Sequence, residues 1–233
     1  MVTNMVNEVD IKKFLKSISI FSDLNKESVD RFVKFGKLVK YKKGQVVFFQ
    51  FDPSDKFYLV RSGVISILIG SSDGREMVIN EIRSGDFFGE LGILTNQPRS
   101  TGAVARTNCE VFVFPRQIFL DLLDQEPRLS RRILNLTADR LRISSEREGA
   151  LAFLDAQTRL ARLLLQMEEL ELEKGYLTIS QEELASRTGL TRQTAAKILG
   201  RWRRFGWLVT GRGHIVLINH KEISNIGSER ILF

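Results

Sequence analysis

Between Phe87 and Ala103 the chain reads Phe-Phe-Gly-Glu-Leu-Gly-Ile-Leu-Thr-Asn-Gln-Pro-Arg-Ser-Thr-Gly-Ala. Two glycines, a carboxylate, a guanidinium and several hydroxyls fall within one short span, a set that suits a small sugar phosphate. Gly89 and Gly92 let the backbone approach a ligand closely and leave amide N–H groups free for an anion. Arg99 can fork onto two phosphate oxygens, and Ser100 and Thr101 add donors beside it. Glu90 would repel a phosphate but accepts a hydrogen bond from a ribose hydroxyl. The expected ligand therefore has one anionic end and one hydroxyl end. Taken alone, the same run is also a loop between two strands with a surface arginine.

A second group of chemistry-bearing residues lies near the other end. From Arg187 to Arg212 the sequence holds seven basic residues (Arg187, Arg192, Lys197, Arg201, Arg203, Arg204, Arg212) and no acidic one. A one-signed stretch of that length is an electrostatic footprint for a polyanion, although charge alone favours a solvated basic helix face. The local pattern narrows the reading. Ser180-Gln181-Glu182-Glu183 is a capping box, with Ser180 at N-cap and Glu183 at N3. Leu184 and Ala185 point inward on the short helix that follows. Thr188-Gly189-Leu190 makes a tight turn, and Thr191 caps a second helix running to about Arg204. Ala195, Ile198 and Leu199 form its buried stripe. Helix, glycine turn and basic helix make a helix-turn-helix. Trp207–Val209 and His214–Leu217 then flank Gly211-Arg212-Gly213, a hairpin with Arg212 at its tip.

Other elements must position these two groups. Residues 9–38 read as short helices, one capped by Asn25. Short β segments follow: Gln45–Phe49, Phe57–Val60, Val64–Ile69, Met77–Ile82, Gly102–Ala105 and Val111–Phe114. Turn signals such as Ser72-Asp73-Gly74 separate them, so a sandwich or barrel is expected with the glycine-rich run between two strands. The period then turns helical, with a short helix at Gln117–Leu123 and one long helix over about Arg128–Ala152. A heptad-like series, Ser130, Leu134, Thr137, Leu141, Ser144, Glu148 and Leu151, suits pairing with a second copy. Ser144 and Ser145 interrupt that seam. Buried hydroxyls without partners cost about 1–3 kcal/mol each, so something should satisfy them. Another helix is expected at Ala156–Leu172, ending in a turn at Lys174-Gly175.

The 233 residues are 43% hydrophobic and 27% charged, with a net charge of +7, ordinary for a folded soluble chain. No apolar run reaches about 18 residues, and the N-terminus has neither a basic segment nor an apolar one, so no membrane span and no signal peptide are expected. The single cysteine, Cys109, excludes an internal disulfide and suits a reducing cytoplasm. It also excludes a sensor cluster of iron and sulfur, which needs about four cysteines. Both histidines, His214 and His220, lie beyond the helix-turn-helix, which argues against histidine-ligated haem in the N-terminal half. No phosphate-loop motif, metal cluster or Ser-His-Asp set supports an enzyme.

Gly-Glu-Leu-Gly followed by Arg99-Ser100, nine residues after the glutamate, resembles the phosphate-binding cassette of the CRP/FNR family of bacterial transcription regulators. Within the family the chain is most similar to the cyclic-AMP receptor branch, over about Phe21 to Leu217. The resemblance implies an α+β fold: a cyclic-nucleotide-binding β-roll in residues 1–127, a dimerisation helix with hinge in 128–155, and a winged helix-turn-helix in 156–233. It also implies a ligand site of Gly89, Glu90, Leu91, Arg99 and Ser100, completed by Ser144 and Ser145 against the base. Phe153-Leu154-Asp155 resembles the family's interdomain hinge. Arg192, Gln193 and Lys197 match base-reading positions, while Thr191, Arg201 and Arg212 read as phosphate contacts. Two departures stand out. Ser144 replaces a threonine, and Gln193 replaces a glutamate; glutamate accepts from cytosine whereas glutamine suits adenine, so a related but altered operator is expected.

The implied partners are a cyclic nucleotide, double-stranded DNA with a palindromic operator, and a second copy of the chain. Neither a metal nor a resident cofactor is implied. Cyclic AMP is the expected effector, with cyclic GMP, a cyclic dinucleotide and effector-independent action as alternatives. RNA polymerase is a candidate partner, but Met167–Tyr176 is shorter than in the receptor branch and carries no contact surface over.

Overall fold

The computed structural model describes residues 8–71, 76–170 and 175–228. The chain divides into two compact units, Met1–Arg140 and Leu141–Phe233.

The first unit opens with α1 (Glu8–Ser17) and α2 (Lys26–Phe35). Asn25 caps α2 by accepting from the Ser28 amide at 2.8 Å. Eight strands follow: β1 (Lys37–Tyr41), β2 (Val46–Phe48), β3 (Lys56–Ser62), β4 (Ile65–Gly70), β5 (Glu76–Ile82), β6 (Phe87–Phe88), β7 (Gly102–Ala105) and β8 (Cys109–Pro115). A one-and-a-half-turn helix, α3 (Glu90–Leu94), interrupts them after β6. They form two antiparallel four-stranded sheets, ordered β1-β8-β3-β6 and β2-β7-β4-β5. The helices α4 (Arg116–Gln125) and α5 (Pro127–Phe153, 27 residues) come next.

The period-2 rule explains why β3 and β8 carry the unit. In β3, Phe57 and Leu59 face the helical core while Tyr58 and Val60 face the second sheet. In β8, Phe112 and Phe114 go to the helices and Cys109 and Val111 to the second sheet. Phe114 stacks on Phe32 at 3.7 Å between ring centroids, and Phe57 stacks on Phe119 at 4.1 Å. Both strands are covered on both sides, which is why they read as nearly unbroken apolar runs.

In the second unit lie α6 (Ala156–Leu170), β9 (Leu177–Thr178), α7 (Gln181–Thr188), α8 (Arg192–Arg204), β10 (Leu208–Gly211), β11 (His214–Leu217) and α9 (His220–Gly227). Its core centres on Leu160, Leu164, Leu184, Leu199, Trp202 and Ile223.

The expected strands are all present, with ends moved by at most two residues. Five elements were not singled out in the sequence: β1, β6, the cassette helix α3, β9 and α9. The expected long helix begins and ends one residue further out. The Ser72-Asp73-Gly74 turn, the proposed last turn of α6 beyond Leu170, and Lys174 lie outside the described residues.

Candidate functional sites: a ligand cassette and a reading head

β6 pairs with β3, Tyr58 opposite Phe88, and the two rings stack at 4.8 Å. The chain must then turn sharply, and Gly89 does so at φ +80°. A Cβ there would also lie 2.7 Å from Nη1 of Arg99. Glycine is therefore required by conformation and by space together. Gly92 sits against the other wall, where a Cβ would come within 2.0 Å of the Ser54 hydroxyl. These approaches fold α3 down onto β3 and put Glu90 in its first turn.

Arg99 is 3% exposed. Its Nη1 donates to the Gly89 carbonyl at 2.5 Å and its Nη2 to the Lys56 carbonyl at 2.6 Å. The guanidinium lies 4.4 Å from the Phe48 ring centroid and 5.4 Å from that of Tyr58. Its Nε is buried without a hydrogen-bond partner. Main-chain bonds fix the same residue: Phe51 donates to the Arg99 carbonyl at 2.8 Å, and the Arg99 amide donates to Asp52 at 2.9 Å. Phe51 is held there at φ +72°, a strained setting for a non-glycine residue. The fork expected to face a phosphate thus grips two carbonyls. Among the described residues no carboxylate forms an ion pair with it, and burial lowers its pKa from the ordinary value. The structure presents a buried cation held by two carbonyls and two aromatic rings.

Glu90 is also buried, and its partner is a residue the sequence reading missed. Arg140 on α5 donates from Nη1 to Glu90 Oε1 at 2.7 Å and from Nη2 to the Phe87 carbonyl at 2.8 Å. Its guanidinium covers the Phe87 ring at 4.6 Å. A signal was available, since Arg140 lies one helical turn before Ser144 on the same face. The pair neutralises the carboxylate that would otherwise oppose an anionic ligand. Replacing Arg140 with Met should cost about 2–3 kcal/mol in denaturant unfolding, because it strands a carboxylate that is only 9% exposed. Adding Glu90→Gln should restore most of that loss; a cycle with no coupling would mean that solvent screens the pair.

The Phe48 and Tyr58 walls were missed as well. Burial pushes the Tyr58 hydroxyl up to about 12 from an ordinary 10.0, against the lowering effect of Arg99 beside it. A folded value above the unfolded one leaves stability intact below pH 10.0 and removes it as pH rises through about 12. Alkaline unfolding of the wild type should therefore steepen in that window, and Tyr58→Phe should flatten it. An identical alkaline limb in both proteins would assign the loss elsewhere.

Leu91 and Ser100 are exposed beside the cassette. Thus Gly89, Glu90, Leu91, Arg99 and Ser100 come together in the first unit. Ser144 and Ser145 belong to the second unit and are exposed on α5, with the Ser144 hydroxyl 3.5 Å from Glu148 Oε1.

The reading head follows its caps. Ser180 Oγ accepts from the Glu183 amide at 3.1 Å, and Thr191 Oγ1 accepts from the Thr194 amide at 3.1 Å. Gly189 takes φ +66° between the two helices. α8 buries Ala195, Ile198, Leu199 and Trp202. Arg192, Gln193, Lys197 and Arg201 are left exposed, and Arg212 is exposed at the hairpin tip. Nε of Arg192 stands 3.8 Å from a Glu182 carboxylate oxygen. Ser180, Glu182, Arg192, Gly211 and His214 help to line a cavity of about 370 Å³ between the starts of α7 and α8 and the wing. Thr191, expected at phosphate, has its hydroxyl engaged in capping and in a 2.8 Å contact with Thr194 Oγ1. Among the described residues no cluster of metal-ligating side chains occurs, and no helix is long and apolar enough to cross a membrane.

A glycine-and-arginine cassette on a two-sheet roll, followed by a long helix and a winged helix-turn-helix, defines a transcription regulator with a cyclic-nucleotide-binding domain. Residues 38–126 match the family model of the cyclic nucleotide-binding domain, and residues 158–226 match that of the Crp-like helix-turn-helix domain. The cAMP-activated global transcriptional regulator CRP of Salmonella typhimurium is 30% identical over 178 residues, 74% of this chain and 85% of that protein. A CRP-like cAMP-activated global transcriptional regulator of Mycobacterium tuberculosis is 29% identical over 216 residues, 90% of this chain and 96% of that one. Among solved structures, the c-di-GMP responsive global regulator CLP of Xanthomonas campestris matches with a TM-score of 0.74 and 27% identity, covering 83% of this chain and 99% of that one. The chain belongs to the CRP/FNR family of transcription regulators.

Proposed function

We propose that this chain is a homodimeric regulator whose affinity for a palindromic operator is set by cyclic AMP. The observation that carries the effector reading is Arg99: a buried guanidinium walled by aromatic rings, with, among the described residues, neither a hydrogen-bond partner for its Nε nor a carboxylate ion-paired to it. An entering phosphate would supply the missing negative charge, and Ser100 and the amides of Gly89 and Leu91 would share its oxygens. Nothing else among the described residues bonds to Glu90 beyond Arg140, so its second oxygen is open to a ribose hydroxyl. Ser144 and Ser145 would meet the base from α5.

Leu134, Leu141 and Leu151 are between 37% and 68% exposed on α5, an apolar series at heptad-like spacing that favours pairing with a second copy. The ligand acts by binding the DNA-competent arrangement more tightly than the other. Arg192, Gln193 and Lys197 then read base edges, while Thr191, Arg201 and Arg212 set register on phosphates. RNA polymerase is the partner such an operator complex would meet. The Salmonella and Mycobacterium relatives, both named as cAMP-activated, support cyclic AMP. The Xanthomonas relative is named as c-di-GMP responsive and supports the second reading, a cyclic dinucleotide.

The test is a calorimetric titration of the full chain with cyclic AMP, cyclic GMP and c-di-GMP, each paired with an operator-affinity measurement. Cyclic AMP should bind and should tighten operator binding. Operator affinity unmoved by every nucleotide would mark an effector-independent regulator.

A further inference from the structure

The last carbonyls of a helix lack partners inside it and sit at the negative end of its dipole. One side chain in the second unit serves two such ends at once. Arg159, in the first turn of α6, donates from Nη1 to the Leu154 carbonyl at 2.9 Å and from Nε to the Thr188 carbonyl at 3.1 Å. Leu154 is the last residue in the hydrogen-bonded spiral of α5, its amide still donating to Ala150 at 3.0 Å. Thr188 is the last residue of α7. The next residue, Gly189, turns the chain into α8, whose first residues are Arg192 and Gln193.

The root of Arg159 is itself held. Asp155 accepts from the Thr158 amide at 2.7 Å, and Arg159 donates its own amide to the Asp155 carbonyl at 3.1 Å. The Thr158 amide chiefly, and the Arg159 charge in smaller part, keep the Asp155 carboxyl below its ordinary range. A planar guanidinium bonded through two of its edges cannot swivel without breaking one bond. The Thr188 hydroxyl donates back to Leu184 at 2.7 Å, so the α7 end is stiff where Arg159 grips it.

We propose that Arg159 is a positioning residue: by locking the end of α5 to the end of α7 it fixes where the recognition helix points. It touches no base, and its contribution should appear in sequence discrimination rather than in phosphate attraction. The inference rests on the DNA-reading function proposed above for α8.

The experiment uses the full chain. Wild type first selects an operator from random duplex DNA; failure to select any sequence would remove the reading function itself. Arg159→Met, which keeps the stem and helix propensity, is then compared on that operator and on poly(dI-dC). Operator affinity should fall about tenfold or more while affinity for the non-specific polymer stays within about twofold. Arg159→Lys covers the case in which the methionine variant fails to fold. A lysine ammonium is a compact point donor and cannot hold both carbonyls in one plane. It should melt with the wild type and still lose at least about fivefold in the ratio of specific to non-specific affinity. A wild-type ratio in either folded variant, or a parallel fall of both affinities, would overturn the assignment.

Discussion

Replacing Arg99 with Ala should lower cyclic-nucleotide affinity by two orders of magnitude or more and leave only weak, salt-sensitive DNA binding. Two charge-assisted hydrogen bonds to a phosphate contribute about 1.5–3 kcal/mol each, more than enough for that loss. The geometry adds a second cause. Arg99 ties the Gly89 carbonyl to the Lys56 carbonyl, so this side chain adds an anchor between the cassette turn and β3. Removing it frees two buried carbonyls and opens a gap between the Phe48 and Tyr58 rings. Arg99→Lys separates the two causes. It keeps the charge but cannot bridge both carbonyls. If attraction to the phosphate dominates, lysine recovers part of the affinity; if the bridge dominates, it recovers almost none. Nucleotide affinity unchanged in Arg99→Ala, measured calorimetrically, would refute the site.

Local physics made some of this molecule readable in advance and left other parts opaque. The alternating strands β3 and β8 were legible because burial on both faces leaves a long apolar signature. The caps at Asn25, Ser180 and Thr191 were legible because a hydroxyl or amide oxygen at N-cap satisfies a donor only a few residues away. The cassette helix α3 was not, since Gly92 in its middle argues against helix; packing of α3 on Ser54 overrides that propensity. Glu90 and Arg140 are 50 residues apart, and no local rule couples them. The inward turn of Arg99 was equally hidden. Sequence says that an arginine stands beside a serine; only the apposition of β2 and β3 supplies the aromatic walls and carbonyls that hold it. The residue types of the cassette stand in the sequence, but the direction of each side chain depends on contacts distant in the chain.

Arg192 should behave differently from Arg201 and Arg212, the basic residues of the reading head that set register on phosphates. It lies at the first position of α8, exposed, where a side chain in a major groove reaches base edges. Glu182, 3.8 Å from Nε, leaves both terminal nitrogens for the O6 and N7 of a guanine. The pair is exposed and adds little stability; its interest lies in orientation. Arg192→Ala should cost about 1–3 kcal/mol on the preferred operator and flatten the preference at one guanine in each half-site, leaving the other positions unaltered. Arg201→Ala and Arg212→Ala should instead weaken binding to all sequences alike and lower the salt slope by about one each. Gln193→Glu extends the comparison, because exchanging an amide for a carboxylate trades a partner for adenine against an acceptor for cytosine. The preferred base beside the Arg192 guanine should move accordingly. Should Arg192→Ala weaken every sequence equally, the residue is a phosphate contact, and the direct readout must be sought at Gln193 and Lys197.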